Sequence, residues 1–197
     1  MSGTVGILLC AGGSTRMGFD KLLTPIAGKT AIERSLEALV SGGADEIVFA
    51  VSPSTRAFVE GLSCPVPHKI VDGGQTRAES VKHALDSIAR ADIVAIHDAA
   101  RCMVSPETVR ESIESARAFG SGVVAGKVTD TIVQLDETGV TPLDRSRLIR
   151  MQTPQTFRFD RIKQAYESGD LSRVTDDCAL YIAAGYEPKF VFTEGEA

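Results

Sequence analysis

The stretch Val5-Gly6-Ile7-Leu8-Leu9-Cys10-Ala11-Gly12-Gly13-Ser14-Thr15-Arg16-Met17-Gly18-Phe19-Asp20-Lys21 decides the architecture. Val5–Leu9 is a continuous apolar run, as expected of a strand buried on both faces of a parallel sheet. The residues after it are small, polar and basic. Consecutive small residues let backbone amides approach an anion closely, and a loop at the carboxyl end of such a strand is where these sheets hold ligands. Arg16 offers a planar fork for two phosphate oxygens, and Lys21 offers a mobile point charge.

Composition is compatible with this start. The 197 residues are 43% hydrophobic and 24% charged, the mix of an ordinary globular protein, and the length suits one domain over 1–197. The net charge is −5, yet residues 1–32 hold Arg16, Lys21 and Lys29 against Asp20 alone. A positive patch in a negative chain suits a small anionic ligand and argues against a broad nucleic-acid face. The apolar run near the start is too short to span a bilayer and follows no basic segment, so neither a membrane span nor a signal peptide is expected. Cys10, Cys64, Cys102 and Cys178 are scattered without metal-ligand spacing. They are read as reduced thiols in a cytoplasmic protein.

Working outward, strand and helix patterns alternate. Thr30 and Glu33 form a capping box ahead of a helix with Ile32, Leu36, Leu39 and Val40 on one face, stopped by Gly42-Gly43. Glu46–Val51 and Lys69–Val71 read as strands. A second capping box, Thr76 with Glu79, opens a helix with a Val81, Leu85, Ile88 stripe. Ile93–His97, Val123–Val128 and Phe190–Thr193 are further strands, and Ser105-Pro106 starts a helix. Residues 130–150 break the alternation with a β-hairpin arm turning at 136–139. Asp160 and Thr175 are expected to cap two last helices, the second ending at Gly185. The expected class is α/β: a Rossmann-like, mostly parallel sheet with helices on both faces. Such a sheet gathers the loops Cys10–Lys21, Asp72–Arg77 and Asp98–Arg101 at one edge.

Each loop has its own chemistry. Asp72-Gly73-Gly74-Gln75-Thr76-Arg77-Ala78-Glu79-Ser80 offers amides and Ser80 to a nucleobase edge and Arg77 to a ligand; taken alone it is a helix cap with a solvated arginine. Asp98-Ala99-Ala100-Arg101 ends a strand with a carboxylate that can meet a hydroxyl or a Mg²⁺ on phosphates, or simply form a surface pair. Gly28-Lys29-Thr30 lacks the earlier glycine of a Walker A loop, no G-x-G-x-x-G occurs, and no nucleophile elbow exists. His68, His83 and His97 are read as packing or surface residues.

In this order the motifs Ala11-Gly12-Gly13-x-x-Arg16-Met17 with Lys21, Asp72-Gly73-Gly74-x-x-Arg77-x-x-Ser80, His97-Asp98-Ala99-Ala100-Arg101, Asp130-Thr131, Thr153-Pro154-Gln155-x-Phe157 and Thr175-Asp176-Asp177 resemble one family. It is the 2-C-methyl-D-erythritol 4-phosphate cytidylyltransferases, and the likeness runs from Val5 to Glu194. The resemblance implies a nucleotidyltransferase-type fold joining CTP to methylerythritol phosphate. Arg16 and Lys21 would bind the triphosphate and stabilise the transition state. Ala11, Gly12 and Gly13 would cradle it, and Gly74, Arg77, Ser80 and Asp98 would surround the nucleoside. Arg101 would meet the acceptor, as would Thr131 and Arg145 reaching across a homodimer from the 130–150 arm. Mg²⁺ would be held mainly by the nucleotide phosphates, with Asp98 a candidate protein ligand.

Two departures stand out. Cys102 occupies a position where the family usually has proline. The family also continues beyond the equivalent of Glu194-Gly195-Glu196-Ala197 through an Asn-Ile-Lys segment, so either more chain follows or that lysine is lacking. A ribitol 5-phosphate cytidylyltransferase has the same chemistry, and loss of the lysine would leave an inactive nucleotide-binding module. A molybdopterin nucleotidyltransferase shares Arg16-Met17-Gly18-x-Asp20-Lys21 but not the Asp72–Ser80 or Thr153–Phe157 patterns.

Overall fold

A computed structural model describes residues 3–12, 21–137 and 139–193. Strands β1 (Thr4–Cys10), β2 (Glu46–Val51), β3 (His68–Asp72), β4 (Ile93–Asp98), β5 (Ser121–Lys127), β8 (Ile149–Arg158) and β9 (Phe190–Thr193) form one sheet in the order β3-β2-β1-β4-β8-β5-β9. The β3-β2-β1-β4 half is parallel, and β9 runs parallel to β5. β8 is antiparallel to both β4 and β5. β6 (Val133–Asp136) and β7 (Gly139–Pro142) make a separate two-stranded hairpin, as expected of the arm.

Every residue of β1 is buried, and its side chains alternate between two cores. Val5, Ile7 and Leu9 face a cluster with Val81 and Leu85 of α3 (Arg77–Ser87), Ile162 of α5 (Phe159–Ser168) and Tyr181 of α6 (Asp177–Ala183). Leu8 and Cys10 face another with Ile32 and Leu36 of α1 (Ala31–Ser41), Val59 of α2 (Pro53–Glu60) and Ile113 of α4 (Pro106–Phe119). Period-2 alternation across a doubly covered sheet explains why the strand reads as unbroken apolar sequence.

Both capping boxes form as expected: Thr30 with Glu33 on α1, and Thr76 with Glu79 on α3. Ser105 caps α4, which ends on Gly120 at φ 99°, a left-handed conformation that glycine adopts without steric cost. Four expectations need correction. α2 escaped the sequence reading, although Ser52-Pro53 repeats the cap-and-proline pattern of Ser105-Pro106. Arg158, not Asp160, stands at the cap of α5 and makes no side-chain cap; Asp160 sits inside the first turn. Asp176, not Thr175, caps α6 by accepting from Ala179 N at 2.9 Å. β8 was not anticipated as a strand, because Pro154 cannot donate to a ladder; it fits where the β5–β8 register shifts between Val123 and Ala125.

Candidate active site at the carboxyl ends of the strands

Three loops leave the same edge of the sheet. The first follows β1; its residues 13–20, which include Gly13 and Arg16, lie outside the described residues. The second begins where β3 ends, and Gly73 N donates to Val51 O at 2.8 Å. A Cβ on Gly73 would stand 2.4 Å from Ala11 Cβ, so the two glycine-rich loops touch only because this residue has no side chain. The third loop is tied back by Ala99 N donating to Leu9 O at 3.1 Å and by Ser35 of α1 donating to Ala99 O at 3.1 Å.

In the second loop, Ser80 donates to Thr76 O at 3.0 Å and accepts from Gly74 N at 2.9 Å. Glu79 takes the amides of Gln75 and Thr76 at 2.6 and 3.1 Å. The fold thus uses the amides of Gly73, Gly74, Gln75 and Thr76, while those of Arg77 and Ala78 open the helix.

Arg77 is not the solvated cap residue that the loop alone suggests. Its Nε donates to Asp98 Oδ1 at 2.9 Å, while Nη1 and Nη2 donate to Asp177 Oδ1 and Oδ2 at 3.0 and 2.8 Å. Burial works against its charge, but attraction to Asp177 and then to Asp98 outweighs burial and raises its pKa. Asp98 N donates to Thr153 Oγ1 at 3.2 Å, and Thr153 Oγ1 lies 2.9 Å from Nδ1 of fully buried His97. Burial pulls the His97 pKa down to about 4, with Asp98 pulling weakly the other way, so the ring is neutral near pH 7. The packing role expected for His97 holds. Burial also pushes the Cys178 thiol up to about 12.

Two cavities meet at this edge. One, of about 230 Å³, is lined by Leu9, Gly12, Lys21, Arg77, Asp98 and Ala100. The other, of about 160 Å³, is lined by Arg101, Gln152, Thr153 and Thr175, and again by Arg77 and Asp98. The Arg77–Asp98 pair is thus a wall common to both. Lys21, Arg77, Asp98 and Arg101 come together as expected. Arg145 instead lines a separate cavity beside the arm with Lys127 and Phe192, its Nη1 donating to Thr129 O at 2.6 Å. Thr131 is exposed just before β6. A larger hollow of about 770 Å³ lies between α1 and α2, far from this chemistry, and is lined by Leu36, Val40 and Phe58.

Residue patterns alone did not assign Gln152, Thr153 or Thr175, which line the second cavity, or Asp177 behind it. Only its place in the Thr175-Asp176-Asp177 run pointed to Asp177. Among the described residues no three His, Cys, Asp or Glu side chains gather as a metal cage. Asp98, whose Oδ2 is 3.8 Å from Arg101 Nε, suits a Mg²⁺ carried on phosphates, which needs only one or two protein carboxylates.

The model of a family described as "IspD: 2-C-methyl-D-erythritol 4-phosphate cytidylyltransferase" matches residues 4–197. The chain belongs to this family. It is 39% identical over 200 residues to the bifunctional enzyme IspD/IspF of Rhodopseudomonas palustris (strain TIE-1), covering 92% of this chain and 48% of that protein. It is 34% identical over 191 residues to the 2-C-methyl-D-erythritol 4-phosphate cytidylyltransferase of Prochlorococcus marinus (strain MIT 9313), covering 91% and 84%. A crystal structure of the enzyme of that name from Thermus thermophilus superposes with a TM-score of 0.75 at 28% identity, covering 97% of this chain and 88% of that one. The chain spans about half the length of the bifunctional relatives it matches. Among the described residues no helix is long and apolar enough to cross a membrane.

Proposed function

We propose that this chain transfers a cytidylyl group from CTP to 2-C-methyl-D-erythritol 4-phosphate with release of pyrophosphate, a step of isoprenoid precursor biosynthesis, as one nucleotidyltransferase domain over residues 1–197. The observation that carries this reading is the pair of cavities sharing the Arg77–Asp98 wall, in a chain of this family. Two substrates that must react with each other need adjoining subsites, and a shared wall supplies the contact.

CTP occupies the cavity lined by Gly12 and Lys21, with the backbone of Ala11, Gly12 and Gly13 against the triphosphate. The second loop, with Gly74, Arg77 and Ser80, lies around the nucleoside. The acceptor substrate lies on the Arg101 side. Its phosphate oxygen attacks the α-phosphorus in line; the new P–O bond forms as the bond to the β-phosphate oxygen breaks, and the electron pair leaves with pyrophosphate. A phosphate is already ionised, so no general base is required. Arg16 and Lys21 neutralise the charge that builds on the phosphoryl oxygens, and the remaining acceleration comes from positioning. Mg²⁺ would be held through the phosphates and Asp98 and would supply further charge neutralisation when bound.

The 130–150 arm makes a homodimer in this reading. Its hairpin exposes Val133, Leu135 and Val140, and Thr131 and Arg145 meet the acceptor phosphate of the partner subunit. The four free cysteines suit a cytoplasmic location. Pyrophosphate release from CTP is measured with methylerythritol phosphate and ribitol 5-phosphate side by side. Turnover with the first alone is expected. Turnover with the second alone, or CTP binding without turnover of either, refutes the reading.

A further inference from the structure

Asp177, the first residue of α6, is fully buried and lines neither cavity. Its two oxygens grip Nη1 and Nη2 of Arg77, and the Tyr166 hydroxyl donates to Oδ1. A guanidinium held along one edge by two parallel bonds cannot swivel, so the direction of its Nε–H is set. That Nε–H is the one that meets Asp98. The start of α6 is itself fastened, because Cys178 N donates to Gln155 Oε1 of β8 at 2.8 Å. Side chains therefore run without a gap from an anchored helix start, through one rigid plane, to the carboxylate at the end of β4. Burying a carboxylate is a poor way to gain stability, since apolar replacements of buried ion pairs are often as stable or more so. What the charge gives here is direction.

We propose that Asp177 is a positioning residue: acting through Arg77 it orients Asp98 and holds in place the wall between the two substrate cavities. The inference rests on the reading that CTP and the acceptor phosphate occupy those cavities. Asparagine at position 177 keeps the shape but has a single acceptor oxygen, which breaks the two-point grip.

The test is steady-state pyrophosphate release by the unmutated protein, Asp177→Asn and Tyr166→Phe, with CTP and acceptor varied separately and melting followed in parallel. Asp177→Asn should lower kcat about 10- to 100-fold, as misplaced reacting groups do, with KM for CTP changed less than about threefold. Tyr166→Phe removes a bond from the same carboxylate but spares the grip on Arg77; it should lower Tm while leaving kcat within about twofold. If Asp177→Asn does not fold, Asp177→Glu, which displaces the carboxylate by one methylene, should show a kcat loss of at least about threefold. A folded Asp177 variant with kcat within about twofold of unmutated overturns the proposal, as does an equal loss in Tyr166→Phe, because activity would then follow stability. Absence of turnover by the unmutated protein overturns the functional reading and the proposal with it, whereas turnover that Asp177→Asn retains overturns the proposal alone.

Discussion

Replacing Arg77 by methionine removes the cation between Asp98 and Asp177 while keeping an unbranched stem. The two legs weigh differently. Asp98 is 30% exposed, so water rehydrates it once the arginine is gone, and that leg contributes under about 1 kcal/mol. Asp177 is 0% exposed, and the substitution leaves it with the Tyr166 hydroxyl and the amide end of α6. Removing one partner of a buried pair costs about 3–5 kcal/mol. Arg77 itself is 29% exposed, which admits some water and puts the expected loss near the lower end, about 3 kcal/mol. For a chain of this size each kcal/mol is worth roughly 2–4 °C, so Tm should fall by about 6–12 °C. Adding Asp177→Asn removes the stranded charge, and the double variant should regain about half of that loss. Urea unfolding of the four proteins with equal m-values measures the cycle. A single variant within about 0.5 kcal/mol of unmutated, or a double variant as unstable as the two losses added, refutes the assignment of Arg77 as the ion that makes Asp177 tolerable.

Other outcomes follow from the same geometry. Gly73→Ala drives a methyl group into Ala11 and should weaken CTP binding in calorimetry while costing about 1–3 kcal/mol in unfolding; unchanged CTP affinity would contradict the contact between the two loops. Lys21→Ala should lower kcat by about 10²–10³ with Tm unchanged, and near-normal kcat would remove Lys21 from transition-state stabilisation. His97 has a folded pKa of about 4 against an unfolded value of 6.5, so its neutral burial stabilises fully above 6.5 and that contribution is lost as pH falls toward 4. The loss should approach roughly 3 kcal/mol by pH 4, and chemical denaturation of His97→Asn should be flatter across that window; an equal slope in both proteins would exclude His97 as its source.

What sequence could convey was mostly local. Thr30 with Glu33 and Thr76 with Glu79 announce their helices because a capping box is complete within four residues. Val5–Leu9 announces its strand because both faces of the sheet are covered. Some misplaced features were local, as at the caps of α5 and α6, but the larger ones have a cause that lies far along the chain. Arg77 and Asp177 are 100 residues apart, and neither side chain has a neighbour in sequence that hints at the other. β8 hides behind Pro154, which argues against a central strand until the register shift beside it is seen. The motif singles out Ser80, yet its bonds to Thr76 O and Gly74 N emerge only from the folded loop.

The reversed direction of β8 divides the ligand region into two kinds of material. Every neighbour of β8 in the sheet reaches this edge at its end, then departs as a loop; β8 arrives here at its beginning. Gln152 and Thr153 therefore bring a stretch of strand to this edge, at the register shift against β5 and almost sealed from solvent at 3% exposure each. A molecule in the Arg101-side cavity thus rests against the beginning of a strand as well as against loops.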